Sequence, residues 1–181
     1  EYAATNYINS LNNVLISSLQ TNNITASEYY LKKLDELHAE LSSEHDKKQA
    51  FISSLFGLKY LFQTKNYAKA NTLTHKIIKE LPAYENSLRL IDKTDFYANI
   101  FSNFFYAGNY HKAVFWLNKI RNFETPKFAK EYFYNIFPIT YLITHYEAGA
   151  DKEFLNSLFQ STYRKIKDTI LVFKLETIFK D

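Results

Sequence analysis

The stretch NYAKA at residues 66–70 recurs as NYHKA at residues 109–113, and this pair of stretches decides the fold. They lie 43 residues apart, and a weaker copy stands 43 residues further upstream, where Asn23 opens the pattern and Ser27 replaces Ala. The residues that follow each stretch repeat at the same offset: Leu73, Lys76 and Ile77, then Trp116, Lys119 and Ile120. A fixed offset of this length predicts a protein built from repeated supersecondary units.

Apolar residues within each unit have the spacing of an α-helix. Before the second stretch they stand at i, i+3, i+4, i+7 and i+8: Tyr97, Ile100, Phe101, Phe104 and Phe105. This spacing places them on one helix face. Gly108 and Asn109 accept the left-handed conformation that ends a helix, so they predict a corner between two helices. Lys65 and Asn66 hold the same place in the preceding unit.

These signals predict an all-α fold of four helix pairs and a last helix, with too few Gly and Pro for the turns of an all-β fold. Pro82 and Pro126 should end second helices, and Pro138 should kink or split the seventh helix. The last helix, at about 165–180, should cap the stack through its apolar residues: Ile166, Ile170, Phe173, Leu175 and Ile178. The predicted pairs run at about 3–21 and 24–42, 46–64 and 67–80, 86–107 and 110–122, and 127–147 and 151–162.

The unit resembles the tetratricopeptide repeat, a helical hairpin with Gly-x-Tyr in its turn, a small Ala in its second helix and a Pro twelve residues later. Two sets of residues match: Tyr67, Ala70 and Pro82, then Gly108, Tyr110 and Ala113, with Pro126 one residue late. The resemblance covers about residues 3–162 and implies a right-handed superhelical stack of about four hairpins. Where the family has a small residue facing that Ala, this chain has Leu58 and Phe101, so we expect wider spacing within each hairpin.

The residue types argue against catalysis. The chain has no Cys, none of its five His falls in an HExxH motif, and three scattered Gly cannot build a phosphate-binding loop. The carboxylates between residues 28 and 46 alternate with Lys, which is typical of a solvated helix face. We therefore predict no catalytic residue, no cofactor and no metal, and one domain over residues 1–181 that is a segment of a longer protein.

Long uncharged stretches do not predict a membrane span. Residues 2–27 are rich in Asn, Thr, Ser and Gln, and residues 96–110 and 132–146 are shorter than the roughly 20 apolar residues that a span needs. The sequence contains no signal-peptide pattern. We expect a cytoplasmic protein.

The resemblance also implies a binding surface, because the first helices of such arrays line a concave groove. An extended peptide could bind there through amide side chains, which both donate and accept hydrogen bonds, beside aromatic anchors. The predicted partner is a protein or peptide. The candidate groove residues are Asn13, Lys59, Phe62, Gln63, Asn99, Ser102, Phe105 and Tyr106.

Two other functions stay open. The chain could be the ligand- or peptide-sensing half of a transcriptional or signalling regulator. It could instead bind nucleic acid by stacking bases on Tyr and Phe beside Lys, although a net charge of +3 gives only a weak attractive field. The sequence does not fix the oligomeric state, and dimerisation through the open ends of the stack is a further hypothesis.

Overall fold

The computed structural model describes residues 2–38, 40–41, 43–122 and 127–166. In these ranges the chain forms eight α-helices and no β-strand, which confirms the predicted all-α fold. None of the described helices is both long enough and apolar enough to cross a membrane. The helices are α1 (Tyr2–Gln20), α2 (Ile24–His38), α3 (Glu44–Gln63), α4 (Tyr67–Tyr84), α5 (Leu90–Tyr106), α6 (Tyr110–Arg121), α7 (Lys127–Glu147) and α8 (Lys152–Ile166), with a 3-10 turn at Glu85–Ser87.

One backbone corner joins the two helices of every pair. Each corner has one residue with positive φ: Asn22 at 54°, Lys65 at 56°, Gly108 at 70° and Gly149 at 73°. The next N–H donates to the carbonyl five residues earlier, over 2.8 Å in the first three corners and 3.1 Å in the fourth. This is the hydrogen bond of a Schellman motif, which satisfies a carbonyl that the helix end leaves free. The helix pairs are therefore copies of one hairpin.

A side chain just after each left-handed residue caps the second helix. The Oδ1 atoms of Asn23, Asn66 and Asn109 accept the backbone N–H three residues later, at 3.1, 3.3 and 3.4 Å. In the fourth hairpin Asp151 does this at 2.8 Å, one position later relative to the corner. Asn and Asp are favoured in this role because their short side chains satisfy a free N–H of the first turn.

A small buried residue follows the corner in the second helix of each of the first three hairpins. Ser27, Ala70 and Ala113 occupy the equivalent place in the first three hairpins, and all are fully buried. In the first hairpin the Ser27 and Ser18 hydroxyls are hydrogen-bonded over 2.9 Å. The wider spacing that we expect from Leu58 and Phe101 stays a prediction.

The chain divides into two compact units, Glu1–Asn103 and Phe104–Asp181. In the first unit, α1 packs against α2 and α3, and α3 also packs against α2 and α4. Thr5 on α1 donates to the carboxylate of Asp46 on α3 over 2.7 Å, which links two successive hairpins. The buried residues of its first core cluster are Ile8, Leu11, Leu15 and Leu34.

An aromatic stack extends the core of the first unit towards α5. The Phe51 ring on α3 lies 4.9 Å from that of Tyr84 and 4.5 Å from that of Phe96, measured between centroids. Both pairs are stacked, and Phe96 is fully buried. Buried aromatic rings supply a large hydrophobic contribution, so this stack joins α3, α4 and α5.

In the second unit, α7 packs against both α6 and α8. The Tyr141 hydroxyl donates to Asn118 Oδ1 over 2.7 Å and accepts from Arg121 over 3.1 Å, which ties α7 to α6. Leu142 and Ile166 are the buried centre of the α7–α8 contact. Whether the two units form the single predicted domain stays a prediction.

Some predicted helix boundaries were wrong. Helix α2 ends at His38 instead of residue 42, because residues 40 and 41 make the shorter i→i−3 hydrogen bonds. Helix α5 begins at Leu90 instead of residue 86, after a 3-10 turn. Ile166 ends α8 and does not begin a separate helix. The rest of the predicted last helix, with Ile170, Phe173, Leu175 and Ile178, lies outside the described residues, as does Pro126.

Proline was also a poorer boundary than predicted. Helix α4 continues through Pro82 to Tyr84, where the exposed ring removes only one hydrogen bond and the Glu85 N–H still bonds Leu81 O. Helix α7 runs through Pro138 without being split. The Pro138 carbonyl accepts from the Thr162 hydroxyl of α8 over 3.4 Å, so it also connects two helices.

Candidate binding site

Part of the predicted groove comes together around one residue, Asp95 of α5. Lys59 Nζ lies 3.7 Å from the Asp95 carboxylate, and the Asn99 amide donates to the Asp95 backbone carbonyl over 2.7 Å. The Ser102 hydroxyl bonds back to Ala98 O over 2.8 Å. One N–H of the Asn99 amide and the Ser102 hydroxyl hydrogen are thus used within α5, and the side-chain oxygens of both residues can act as acceptors.

The Gln63 side chain joins two successive corners. Its amide nitrogen donates to the Leu19 carbonyl over 3.0 Å and to Asn22 Oδ1 over 2.6 Å. Leu19 and Asn22 belong to the corner of the first hairpin, whereas Gln63 ends the first helix of the second. Gln63 therefore holds neighbouring repeats together with both of its donor hydrogens. Its oxygen alone is available for the predicted peptide contact.

The remaining candidates differ in exposure. Asn13 is exposed on α1 and Phe62 is partly buried on α3. In the second unit, Phe105 is partly buried with its ring 5.5 Å from that of Tyr110, and Tyr106 is 69% exposed. A shared peptide-binding role for these residues stays a prediction.

A second surface, which the sequence did not reveal, is a cleft in the first unit. Helices α2 and α4 form its walls and α3 forms its floor, and it encloses about 670 Å³. We call this the α2–α4 cleft. Its apolar lining is Leu31, Leu34, Phe51, Leu61, Leu73 and Ile77. No candidate residue of the predicted groove lines it.

Gly57 lies in the floor of the α2–α4 cleft, in the middle of α3. A Cβ atom there would lie 3.3 Å from Leu73 Cδ2 and 3.9 Å from Leu31 Cδ2. The absence of a side chain at Gly57 therefore lets Leu31 and Leu73, one from each wall, pack closely over the floor. Along α2, Glu28 acts on Tyr60 and Leu31 lies beside Gly57; along α4, Leu73 lies beside Gly57 and Tyr84 stacks on Phe51. Both helices therefore run opposite to α3 and in the same direction as each other.

Charged side chains form the rim of the cleft. Lys32 and Asp35 belong to the α2 wall, Lys76 and Glu80 belong to the α4 wall, and none of these four makes an ion pair with another described residue. Both walls thus carry both signs of charge. In contrast, Lys47 at the rim is already paired with Glu44 over 2.8 Å.

His38 lines one end of the cleft, and its Nε2 atom is buried without a hydrogen-bond partner among the described residues. Burial lowers the pKa of the imidazole; nearby Asp35 partly offsets this, and Lys76 adds to it. At the cleft's other end, burial and the charge of Glu28 raise the pKa of Tyr60. Both groups are therefore neutral at pH 7, so the charge of the site comes from its Lys and carboxylate rim.

One signal in the sequence could have indicated this cleft. The places equivalent to Gly57 in the other repeats hold Val14 and Ile100, so a large side chain is missing at one repeat position only. Gly in the middle of a helix costs about 1 kcal/mol relative to Ala, which indicates a reason in packing or function.

The described residues contain no group of three or more His, Asp or Glu side chains placed to hold a metal ion. Comparison with protein-family models, with curated proteins and with solved structures finds no match to this chain.

Proposed function

We propose that this chain is a non-catalytic binding module of the tetratricopeptide-like type, whose partner is a peptide or another protein. The observation that carries the proposal is the corner that recurs at Asn22, Lys65, Gly108 and Gly149 with the same backbone hydrogen bond. Stacks of one repeated hairpin have large accessible surfaces for their size, and their usual use is the binding of other macromolecules. We also propose that the protein is cytoplasmic and that this chain is part of a larger regulatory protein.

The lining of the α2–α4 cleft supports binding over catalysis. Its interior is aliphatic and aromatic, its charges stand at the rim, and its histidine is neutral at pH 7. An apolar recess with a few polar groups at its edge is the common form of a recognition site. Binding of this kind requires neither a cofactor nor a reacting side chain.

The test is a pull-down from lysate of the source cells with this chain as bait and chemical crosslinking before washing. Tyr106→Ala and Lys59→Ala remove exposed side chains of the predicted groove. Tyr29→Ala and Lys69→Ala are matched controls on second helices, with Tyr29 57% exposed and Lys69 also exposed. All four should keep the helical circular dichroism of the parent chain.

A protein that the parent chain and the controls retain, and that the groove variants lose, would support both the module and the groove. A partner retained by all four variants would show that the groove prediction is wrong. A bait that retains no protein above empty resin, with and without crosslinker, would contradict the proposed function itself.

One observation favours nucleic acid as a second candidate partner. Helix α6 carries Lys112, Lys119 and Arg121 and no acidic residue. Beside them Phe115 is 56% exposed, and Lys119 Nζ lies 5.7 Å from the centroid of its ring. An exposed ring beside cations is the arrangement on which unpaired bases stack. Binding of a fluorescent single-stranded RNA that weakens steeply with salt, and is lost in Phe115→Ala, would favour this candidate.

A further inference from the structure

The α2–α4 cleft is an open trough of defined length. Its α2 wall extends from Glu28 to His38 and its α4 wall from Leu73 to Tyr84, which is about 15 Å each at 1.5 Å per residue. Three turns of an α-helix have the same length. The two walls both run opposite to α3 and lie on either side of it, so the trough follows the helix axes.

We propose that the α2–α4 cleft binds an amphipathic α-helix of a partner protein. The apolar side chains of that helix contact the floor of the cleft, and charged side chains of both signs on its flanks face the rim. This deepens the proposed function, on which it rests, by naming the class of partner and a surface other than the predicted groove. Helix-in-groove recognition of this kind uses apolar anchors at i, i+4 and i+7.

The apolar lining of the walls and floor matches such a ladder of anchors. Leu34 and Ile77 are almost fully buried, whereas Leu31, Leu61 and Leu73 are only partly covered. The partly covered residues are where an incoming side chain would remove the most apolar surface from water. Leu31 and Leu73 meet over Gly57, so a central anchor of the bound helix is expected to contact these two leucines.

The charges on the rim determine which charged residues the flanks of the bound helix should carry. Each wall offers one Lys and at least one carboxylate, and Lys32, Asp35, Lys76 and Glu80 have no ion-pair partner among the described residues. A helix with Lys and Glu on both flanks can pair with these groups. A helix whose flanks carry one sign only would place like charges beside half of the rim, which lowers affinity for it.

The test uses designed peptides and the whole chain. The probe is a fluorescein-labelled 14-residue helical peptide with Leu at four positions spaced i, i+4, i+7 and i+11 and with Lys and Glu on both flanks. Two companions have the same Leu positions with Lys only or Glu only on the flanks, and a third has Pro at its centre. Affinity is measured by fluorescence anisotropy.

The mixed-charge peptide should bind at least tenfold more tightly than its three companions. Gly57→Leu should weaken binding at least tenfold, because its side chain fills the floor. Lys76→Glu should weaken it less, and exchange of Glu for Lys on the facing flank of the peptide should restore it. Lys69→Glu, on the same helix but outside the cleft, is the matched control and should change nothing.

Several outcomes would overturn the inference. They are failure of the parent chain to bind any of the helical peptides, equal binding of the Pro-containing peptide, and equal binding by the rim and floor variants. Lys76→Glu needs no repacking, so it remains informative if Gly57→Leu does not fold. If a partner from the pull-down binds Gly57→Leu and Lys76→Glu as it binds the parent, the proposed function stands and the cleft has another role.

Discussion

The corners of the first unit and those of the second have the same backbone but different residues at its left-handed position. Asn22 and Lys65 hold φ values of 54° and 56° in the first unit, whereas Gly108 and Gly149 hold 70° and 73° in the second. Lys is an unfavourable residue there, because its Cβ costs about 1–2 kcal/mol in this conformation. Asn22 and the two glycines are suited to this conformation, so Lys65 is the corner residue whose strain the surrounding structure must offset.

The largest expected effect comes from breaking the packing behind a corner. Ala113 is fully buried in α6, and Ala113→Leu should lower the free energy of unfolding by about 1–3 kcal/mol through overpacking. The equivalent Ala70→Leu should cost at least as much, since its corner already contains a strained Lys65. Urea unfolding measures both. A variant as stable as the parent would show that the helices are not in close contact there.

A smaller loss is expected from strain alone at a glycine corner. In Gly108→Ala the added Cβ meets no atom within 4 Å, so the positive φ is the only source of destabilisation. We expect a loss of about 1 kcal/mol in the free energy of unfolding. Gly57→Ala is the comparison within a helix, where Ala is favoured by up to about 1 kcal/mol. Its Cβ would lie 3.3 Å from Leu73 Cδ2, so the gain requires a small shift of the Leu73 side chain. Opposite signs for the two variants would separate strain from helix propensity.

Lys65→Gly is the reverse test, because it places in a corner of the first unit the glycine that the second unit has at the same position. Relief of the left-handed strain should exceed the entropy that Gly loses on folding, for a net gain of about 0.5–1 kcal/mol. Thermal unfolding followed by circular dichroism measures the gain as a higher Tm. A loss of stability instead would mean that the stem of Lys65 contributes packing that outweighs its strain.

The smallest effect compares one histidine in each unit. Burial lowers the pKa of His38 in the first unit, and burial together with the charge of Arg121 lowers that of His145 in the second. Their folded pKa values lie below the ordinary value near 6.5, so the native state resists protonation. The stabilisation is complete above pH 6.5 and falls as the pH drops below it.

Replacing one histidine at a time assigns this pH dependence. His38→Gln and His145→Gln should each flatten the fall in stability between pH 7 and pH 5, measured by urea unfolding at each pH. An unchanged slope in both variants would show that groups other than these two histidines set the pH dependence in this range.

The sequence predicted the repeated hairpins better than it predicted the binding surfaces. Its 43-residue offset identified the corners of the second and third hairpins and the all-α fold, because corner residues act on their own backbone. It did not predict that Gln63 would bond the preceding corner, since that contact depends on two residues 44 positions apart. The α2–α4 cleft was missed for the same reason, because three separate helices form it and only Gly57 hinted at it.

Pro82 shows a second limit of local rules. A proline in a helix interior costs about 3 kcal/mol, which favours a boundary, yet α4 continues past it. The buried Leu81 on one side and the Leu88 N–H bond to Tyr84 O on the other hold the chain in place. Long-range packing therefore decides where α4 ends.

The equal spacing of the first three corners bears on how the length of this protein can change during evolution. Removal of one residue from within a helix rotates all later residues of that helix by about 100°, which turns buried side chains such as Leu58 towards water. Duplication or loss of a whole 43-residue unit leaves every corner, cap and buried face in register. We therefore expect that related chains differ in length by whole hairpins, and that smaller insertions lie in the segments between hairpins.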